Sequence, residues 1–321
     1  MDFLANYFGS LNPMSFLSAL PGNIAQGIIW GLRGLGVFLT FKLLNFADLS
    51  VDGSFATGGA VTAVMLINGC PVWATIIVAI LAGLAAGLVT GLLHTLLGIP
   101  DILAGILTQI ALYSINLNIM GKSNLPISYR NYTLIVSASN INMAILVGLG
   151  ICAVVIAAMY WYFGTEQGST IRSTGSNPAM SKAQGININF TKVIALALSN
   201  GLVALSGSLF AQYQGFADIN MGRGAIVIGL AAVIIGEVLG EAIFRKHMNF
   251  IIRMLFVIVG GILYYIAMGI VLWLKMPTDD TKLFTAIIVA IFLAVPYLQK
   301  KRKTSFKKVA KMNAKNAQKE G

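Results

Sequence analysis

"LFVIVGGILYYIAMGIVLWL" runs from Leu255 to Leu274 without one charged residue. A helix that crosses the hydrocarbon layer of a bilayer needs on the order of 20 such residues. A second run, "IIVAILAGLAAGLV" from Ile76 to Val89, is apolar on every face and carries the Gly and Ala that let helices approach closely. Neither run alternates polar with apolar residues, as the strands of a membrane barrel do. Backbone in lipid must satisfy its own polar groups, which leaves helices as the solution. The whole chain agrees: of 321 residues 57% are hydrophobic and 10% charged, with 34 glycines and a mean hydropathy of +0.81. The sequence therefore predicts an all-α fold, a polytopic transmembrane helical bundle.

Reading the apolar runs between breakers predicts about nine spans, near 23–43, 54–68, 72–94, 101–121, 141–163, 190–214, 224–240, 251–273 and 283–299. Residues 1–22 form an extracytoplasmic N-terminal segment in this reading, 23–299 the membrane domain, and 300–321 a basic tail. The opening "MDFLANYFGS" has an acid and no basic n-region, so no cleaved signal peptide is expected. If the spans alternate, Lys42, Arg172, Lys182, Lys192, Arg245, Lys246, Arg253 and every basic residue of the tail fall on one side. Lys122, Arg130, Arg223, Lys275 and Lys282 fall on the other. The excess of Lys and Arg marks the cytoplasmic side, which puts the N-terminus outside and the C-terminus in the cytoplasm of a cell membrane.

Charge and motif also exclude functions. The tail carries nine basic residues against Glu320, a net +8 of the chain's formal +11, so the basic balance reads as contact with anionic lipid and not with nucleic acid. "GKS" at Gly121–Ser123 resembles the end of a phosphate-binding loop, but Asn116 stands where its first glycine belongs. His94 and His247 have no partner at zinc spacing, and Cys70 and Cys152 read as packing residues. No nucleophile elbow is present, and no catalytic residue or metal site is expected.

The densest polar cluster is "NFADLSVDGSFATGG", Asn45–Gly59, with Asp48, Ser50, Asp52, Gly53 and Ser54 between two apolar runs. One reading is an internal loop. The other is a broken helix beside a translocation pathway, because irregular polar backbone at membrane depth survives only where protein or water covers it. "FADINMGRGAIVIG" from Phe216 repeats the Phe-Ala-Asp of Phe46–Asp48 and enters its span from the opposite side, as an inverted repeat requires. That adds Asp218 to the candidate pathway. Arg33 lies mid-span with no acid in its own helix and must have a carboxylate or a watery cavity. Glu237, near the inner end of a span, is a further pathway candidate or a snorkelling side chain.

A cytoplasmic loop over about 164–189 contains "GSTIRSTGSNPAMSKAQGIN", Gly168–Asn187. Asn177 is a good N-cap, Pro178 suits the first helical position, and Gly185 suits a left-handed stop. Between them lies a helix of about two turns, too short to stand alone in water. Its small residues, with Met180, make a knob that needs something to pack on.

Both the Asn45–Phe55 and the Gly175–Ile186 motifs resemble those of ABC importer membrane subunits of the branched-chain amino acid and ribose permease type, with the tryptophan/tyrosine importer permeases nearest. The resemblance covers about Asn23 to Gln299. It implies an inverted-repeat, type II importer-like fold in which Gly175, Asn177, Pro178, Ala179, Met180, Ala183 and Gly185 form a coupling helix for a cytoplasmic ATPase dimer. It implies a second permease copy and an extracytoplasmic solute-binding protein, with ATP held on the partner and no cofactor in this chain. Family members often carry Ala-Arg where this chain has Met180-Ser181. The expected function is inward movement of a small solute, an amino acid of aromatic type by resemblance, through alternating access. The alternative from residues alone is an ion-coupled secondary transporter using Asp48, Asp52 and Glu237.

Overall fold

The computed structural model describes residues 13–128, 132–244, 248–274, 283–284, 286–292 and 294. Its helices are α1 (Pro13–Val37, continued by a π-helical turn Phe38–Leu43), α2 (Ser50–Ile67), α3 (Val72–Thr95), α4 (Asp101–Met120) and α5 (Ile141–Phe163). Then follow α6 (Glu166–Ser176), α7 (Pro178–Ala183), α8 (Ile188–Gln214), α9 (Ala225–Phe244) and α10 (Phe250–Trp273). Among the described residues eight helices are long and apolar enough to cross a membrane. They coincide with the first eight predicted spans. The ninth falls on residues that are described only in part, with 286–292 helical. The N-terminal 1–12, the basic tail, Arg130, Arg245, Lys246, His247, Lys275 and Lys282 lie outside the described residues.

Helices α1, α2 and α8 form the centre, and α3, α4, α5, α9 and α10 wrap it with apolar outer faces such as Trp73, Leu81, Leu146 and Val154. What lets three helices sit so close is the absence of side chains at the crossings. A Cβ on Gly58 of α2 would strike the Ala204 carbonyl of α8, and one on Gly207 of α8 would strike the Phe55 carbonyl of α2. Small residues at such contacts are how helices associate without a hydrophobic driving force. Trp30, Phe55 and Phe210 fill the remaining space, with ring centroids 5.1–5.5 Å apart.

Two boundaries differ from the sequence reading. α1 begins at Pro13, about ten residues ahead of its predicted span, and carries Pro21 within it. α2 begins at Ser50 and not near 54, so Asp52, Gly53 and Ser54 belong to regular helix. Two short strands also pair antiparallel, β1 (Asn124–Pro126) with β2 (Phe216–Asp218), with Leu125 opposite Ala217. They tie the end of α4 to the end of α8. The opposite end of the bundle carries α6 and α7.

Candidate functional site

The irregular backbone between α1 and α2 is confined to Leu44–Leu49, where Asn45 adopts a left-handed φ of 55°. Asp48 lies near the end of this break and is buried. Its Oδ1 accepts the Ser50 backbone N–H at 2.9 Å and the Ser50 hydroxyl, and its Oδ2 accepts Asn200 Nδ2 at 2.7 Å. The Ser54 hydroxyl donates to Asn200 Oδ1 at 2.6 Å. Asn200 lies near the middle of α8, 27 residues and about 40 Å long. The cluster therefore sits near the centre of a membrane span. The broken-helix expectation for Asn45–Gly59 is thus corrected in extent: the break stops at Leu49. Beyond Ser54 the threonine hydroxyls bond back within the helix, Thr57 to the Gly53 carbonyl at 3.0 Å and Thr62 to the Gly58 carbonyl at 2.8 Å.

One turn further along α2, Asp52 receives Arg33 Nη2 of α1 on Oδ1 at 2.6 Å. The same carboxylate accepts the backbone N–H of Ile226 on Oδ1 at 2.8 Å and of Gly224 on Oδ2 at 2.9 Å. Asp52 therefore neutralises a fully buried guanidinium and caps the start of α9, where unpaired N–H groups and the helix dipole favour an anion. The Arg33 guanidinium carbon also lies 4.6 Å from the Phe55 ring centroid and 5.3 Å from that of Trp30, a favourable place for a cation. Two acids thus hold two helix beginnings together, Asp48 that of α2 and Asp52 that of α9.

Asp52 and Gly53 also line a cavity of about 320 Å³. Across it stand Gln109, Tyr113 and Asn116 of α4, with Arg223 from the turn before α9. The Arg223 guanidinium carbon lies 5.5 Å from the Tyr113 ring centroid.

The structure brings Arg33, Asp48, Ser50, Asp52, Gly53 and Ser54 together and leaves two candidates elsewhere. Asp218 sits in β2, where Oδ1 accepts the Asn220 N–H at 2.7 Å. This is the same turn that Asp48 makes with Ser50, so the repeated Phe-Ala-Asp carries a repeated local geometry. Glu237 lies well below the cluster on α9, 2.9 Å from Lys42 Nζ and 3.8 Å from Arg253 Nη1. It joins α1, α9 and α10 in a partly exposed ion-pair group. Sequence reasoning did not single out Asn200, Gln109, Tyr113 or Asn116, although polar amides inside apolar runs were a usable signal.

The candidate coupling stretch forms two helices. In α7 the Asn177 side chain accepts the Met180 N–H at 3.1 Å, Pro178 opens the helix, and Gly185 follows it at φ 84°. Pro178, Ala179, Met180 and Ala183 are exposed, while Ser181 faces inward and donates to the Asn177 carbonyl at 3.0 Å. The helix before it, α6, was not anticipated. Thr165 caps it, and Ile171 and Thr174 bury its inner face. Gly175 lies so close to the Leu43 carbonyl and Leu44 that a Cβ would not fit. Its place is thus a packing one, bracing α6 and α7 on the end of α1 where the break begins. At the same end His94 joins α3 to α8, its Nδ1 2.8 Å from the Ile99 carbonyl and its Nε2 accepting Lys192 Nζ at 2.9 Å.

Comparison with known proteins places this architecture. The chain is 42% identical over 301 residues to the tyrosine transport system permease protein of Clostridioides difficile (strain R20291), covering 93% of this chain and 99% of the relative. It is 27% identical over 261 residues to the D-allose transport system permease protein AlsC of Escherichia coli (strain K12), covering 80% of this chain and 77% of that one. Its fold resembles a chain in the structure of PsaBC from Streptococcus pneumoniae in complex with Fab, with a TM-score of 0.50, 18% identity, and coverage of 91% and 94%. Residues 22–296 match the family described as branched-chain amino acid transport system / permease component, and the chain belongs to that family of multi-pass transport permeases.

Proposed function

We propose that the chain is the membrane-spanning subunit of an ATP-driven importer in the cell membrane, with the N-terminus outside and the C-terminus in the cytoplasm. Two copies form the pathway, a cytoplasmic ABC ATPase dimer supplies the hydrolysis of ATP, and an extracytoplasmic binding protein delivers the solute at the β1–β2 end. The solute is a small molecule, an amino acid of aromatic type, by similarity to the tyrosine permease relative. This chain holds no nucleotide and performs no chemistry of its own.

The observation that carries the reading is the exposed, doubly capped α7 resting through α6 on the end of α1. Two turns of helix gain nothing by projecting from a bundle unless another surface receives them. A push on Met180, Ala179 and Ala183 passes through Gly175 to Leu43–Leu44, and from there along the six-residue break to Asp48 and Asn200. Alternating access then consists of rigid helices shifting around that break, with chemistry on the ATPase setting which side is open.

The ion-coupled carrier is less well supported, because it needs carboxylates free to bind and release a cation. Asp48, Asp52 and Glu237 are each held by protein donors. Uptake of labelled L-tyrosine into vesicles holding the whole transporter separates the two. The importer reading expects uptake that requires ATP inside and continues after ionophores collapse all ion gradients; loss of uptake on gradient collapse with ATP intact supports the carrier instead.

A further inference from the structure

We infer that the cavity between α2, α4 and the turn before α9 is a solute-contact site for a small carboxylate-bearing solute, built from Asn116, Arg223 and Tyr113. The inference rests on the transport reading and adds to it the residues that meet the solute.

Three observations converge on this cavity. Asn116 is 1% exposed, it lines the cavity, and among the described residues neither its amide nitrogen nor its amide oxygen has a hydrogen-bond partner. Buried side-chain amides are almost always paired, so one unpaired at both atoms beside an empty space calls for a polar guest. Arg223 stands at the same cavity and makes no ion pair among the described residues. Asp52, the one acid lining the space among the described residues, is already engaged by Arg33 and by two backbone N–H groups. The cavity therefore presents an uncompensated positive charge.

These chemistries fit one class of ligand. A guanidinium recognises a carboxylate bidentately. The Asn116 amide offers one acceptor for an ammonium group and two N–H donors for carboxylate oxygens. The Tyr113 ring lies under the Arg223 guanidinium, 5.5 Å from centroid to carbon, and holds it at the cavity. At about 320 Å³ the space lies at the small end of ligand sites. A neutral sugar would leave Arg223 without a counter-charge. The site also lies in the half of α4 nearer β1, about 6 Å from the end of that helix at Asn116, so it faces the end at which the binding protein delivers.

The test uses the complete transporter in proteoliposomes, with labelled L-tyrosine as probe and saturating binding protein. Asn116→Leu and Arg223→Gln should each lower the uptake rate at least tenfold, with thermal midpoint and ATPase association unchanged, and Arg223→Lys should recover part of the rate. Asn116→Leu removes an unpaired amide and should not destabilise the fold; Arg223 is exposed, so its variants report on the site even if Asn116→Leu misfolds. Uptake within twofold of wild type in both variants, while Ala183→Arg abolishes it, removes this site and leaves the importer reading standing. Absence of ATP-dependent uptake in the wild type removes both readings, whereas a loss in Asn116→Leu that tracks a lowered thermal midpoint, together with normal uptake in Arg223→Gln, removes the site alone.

Discussion

Arg33 of α1 and Asp52 of α2 meet at 2.6 Å, both buried, and the same Asp52 carboxylate caps the first turn of α9. One acid therefore fixes three helices at the level where α2 begins. Removing one partner of a buried pair costs about 3–5 kcal/mol because the other charge remains. Arg33→Leu should lower the thermal midpoint and the yield of folded protein in detergent. Normal folding and transport in Arg33→Leu would show that the pair has no structural role.

Asp52→Asn separates the two tasks of that carboxylate. Its amide oxygen can still accept from Arg33, but its amide N–H₂ would face another donor if it took the place of Oδ2 beside Gly224. The expected result is a protein that folds with a start of α9 that opens more readily. Hydrogen exchange at residues 224–228 should speed up by about tenfold, which corresponds to about 1.4 kcal/mol. Unchanged protection there would contradict the capping role.

Asn200 holds Asp48 on one side and Ser54 on the other. Asn200→Leu leaves the Asp48 carboxylate short of a donor, and an unmet buried charged group costs upwards of about 1–3 kcal/mol. Ser54→Ala removes only one donor to Asn200 and should cost about 1 kcal/mol or less. Thermal midpoints of the two variants should rank in that order.

Close helix contact at Gly58 allows no Cβ, whereas Gly150 on α5 has open space around it. Gly58→Ala should impair folding. Gly150→Ala should leave it intact or improve it by about 0.5–1 kcal/mol through helix propensity. Equal behaviour of the two would mean that the packing of α2 on α8 is looser than described.

Much of this was legible in the chain because membrane helices are set by composition and length alone. The spans, the need of Arg33 for an acid, and the Asn177–Pro178–Gly185 caps all follow from local rules. The identity of the partner did not follow, since Asp48 and Asp52 stand one turn apart and only the rotation of α2 against α1 chooses between them. The expected break extends too far because Ser, Thr, Gly and Asp read as loop formers, while in α2 Thr57 and Thr62 bond back to the helix, Ser54 bonds Asn200 of α8, and the small residues serve packing. Helix α6 was missed because "EQGSTIRSTGS" lacks an apolar stripe, its inner face being Gly168, Ile171 and Thr174. Asn116 and Arg223 come together through tertiary contacts, the pairing of β1 with β2 and the packing of both α4 and the Gly222–Ile226 turn on α2, which no local pattern announces.

The central claim is that α7 is the contact through which a partner ATPase drives the bundle, and its most direct test is crosslinking at Met180. Met180→Cys, in a background with Cys70→Ser and Cys152→Ala, should form a crosslink to a cysteine in the ATPase groove whose yield changes when ATP is bound and hydrolysed. Ala183→Arg should abolish that crosslink and ATP-driven uptake while leaving membrane insertion and abundance normal. Full crosslinking and full uptake in Ala183→Arg protein would contradict the account.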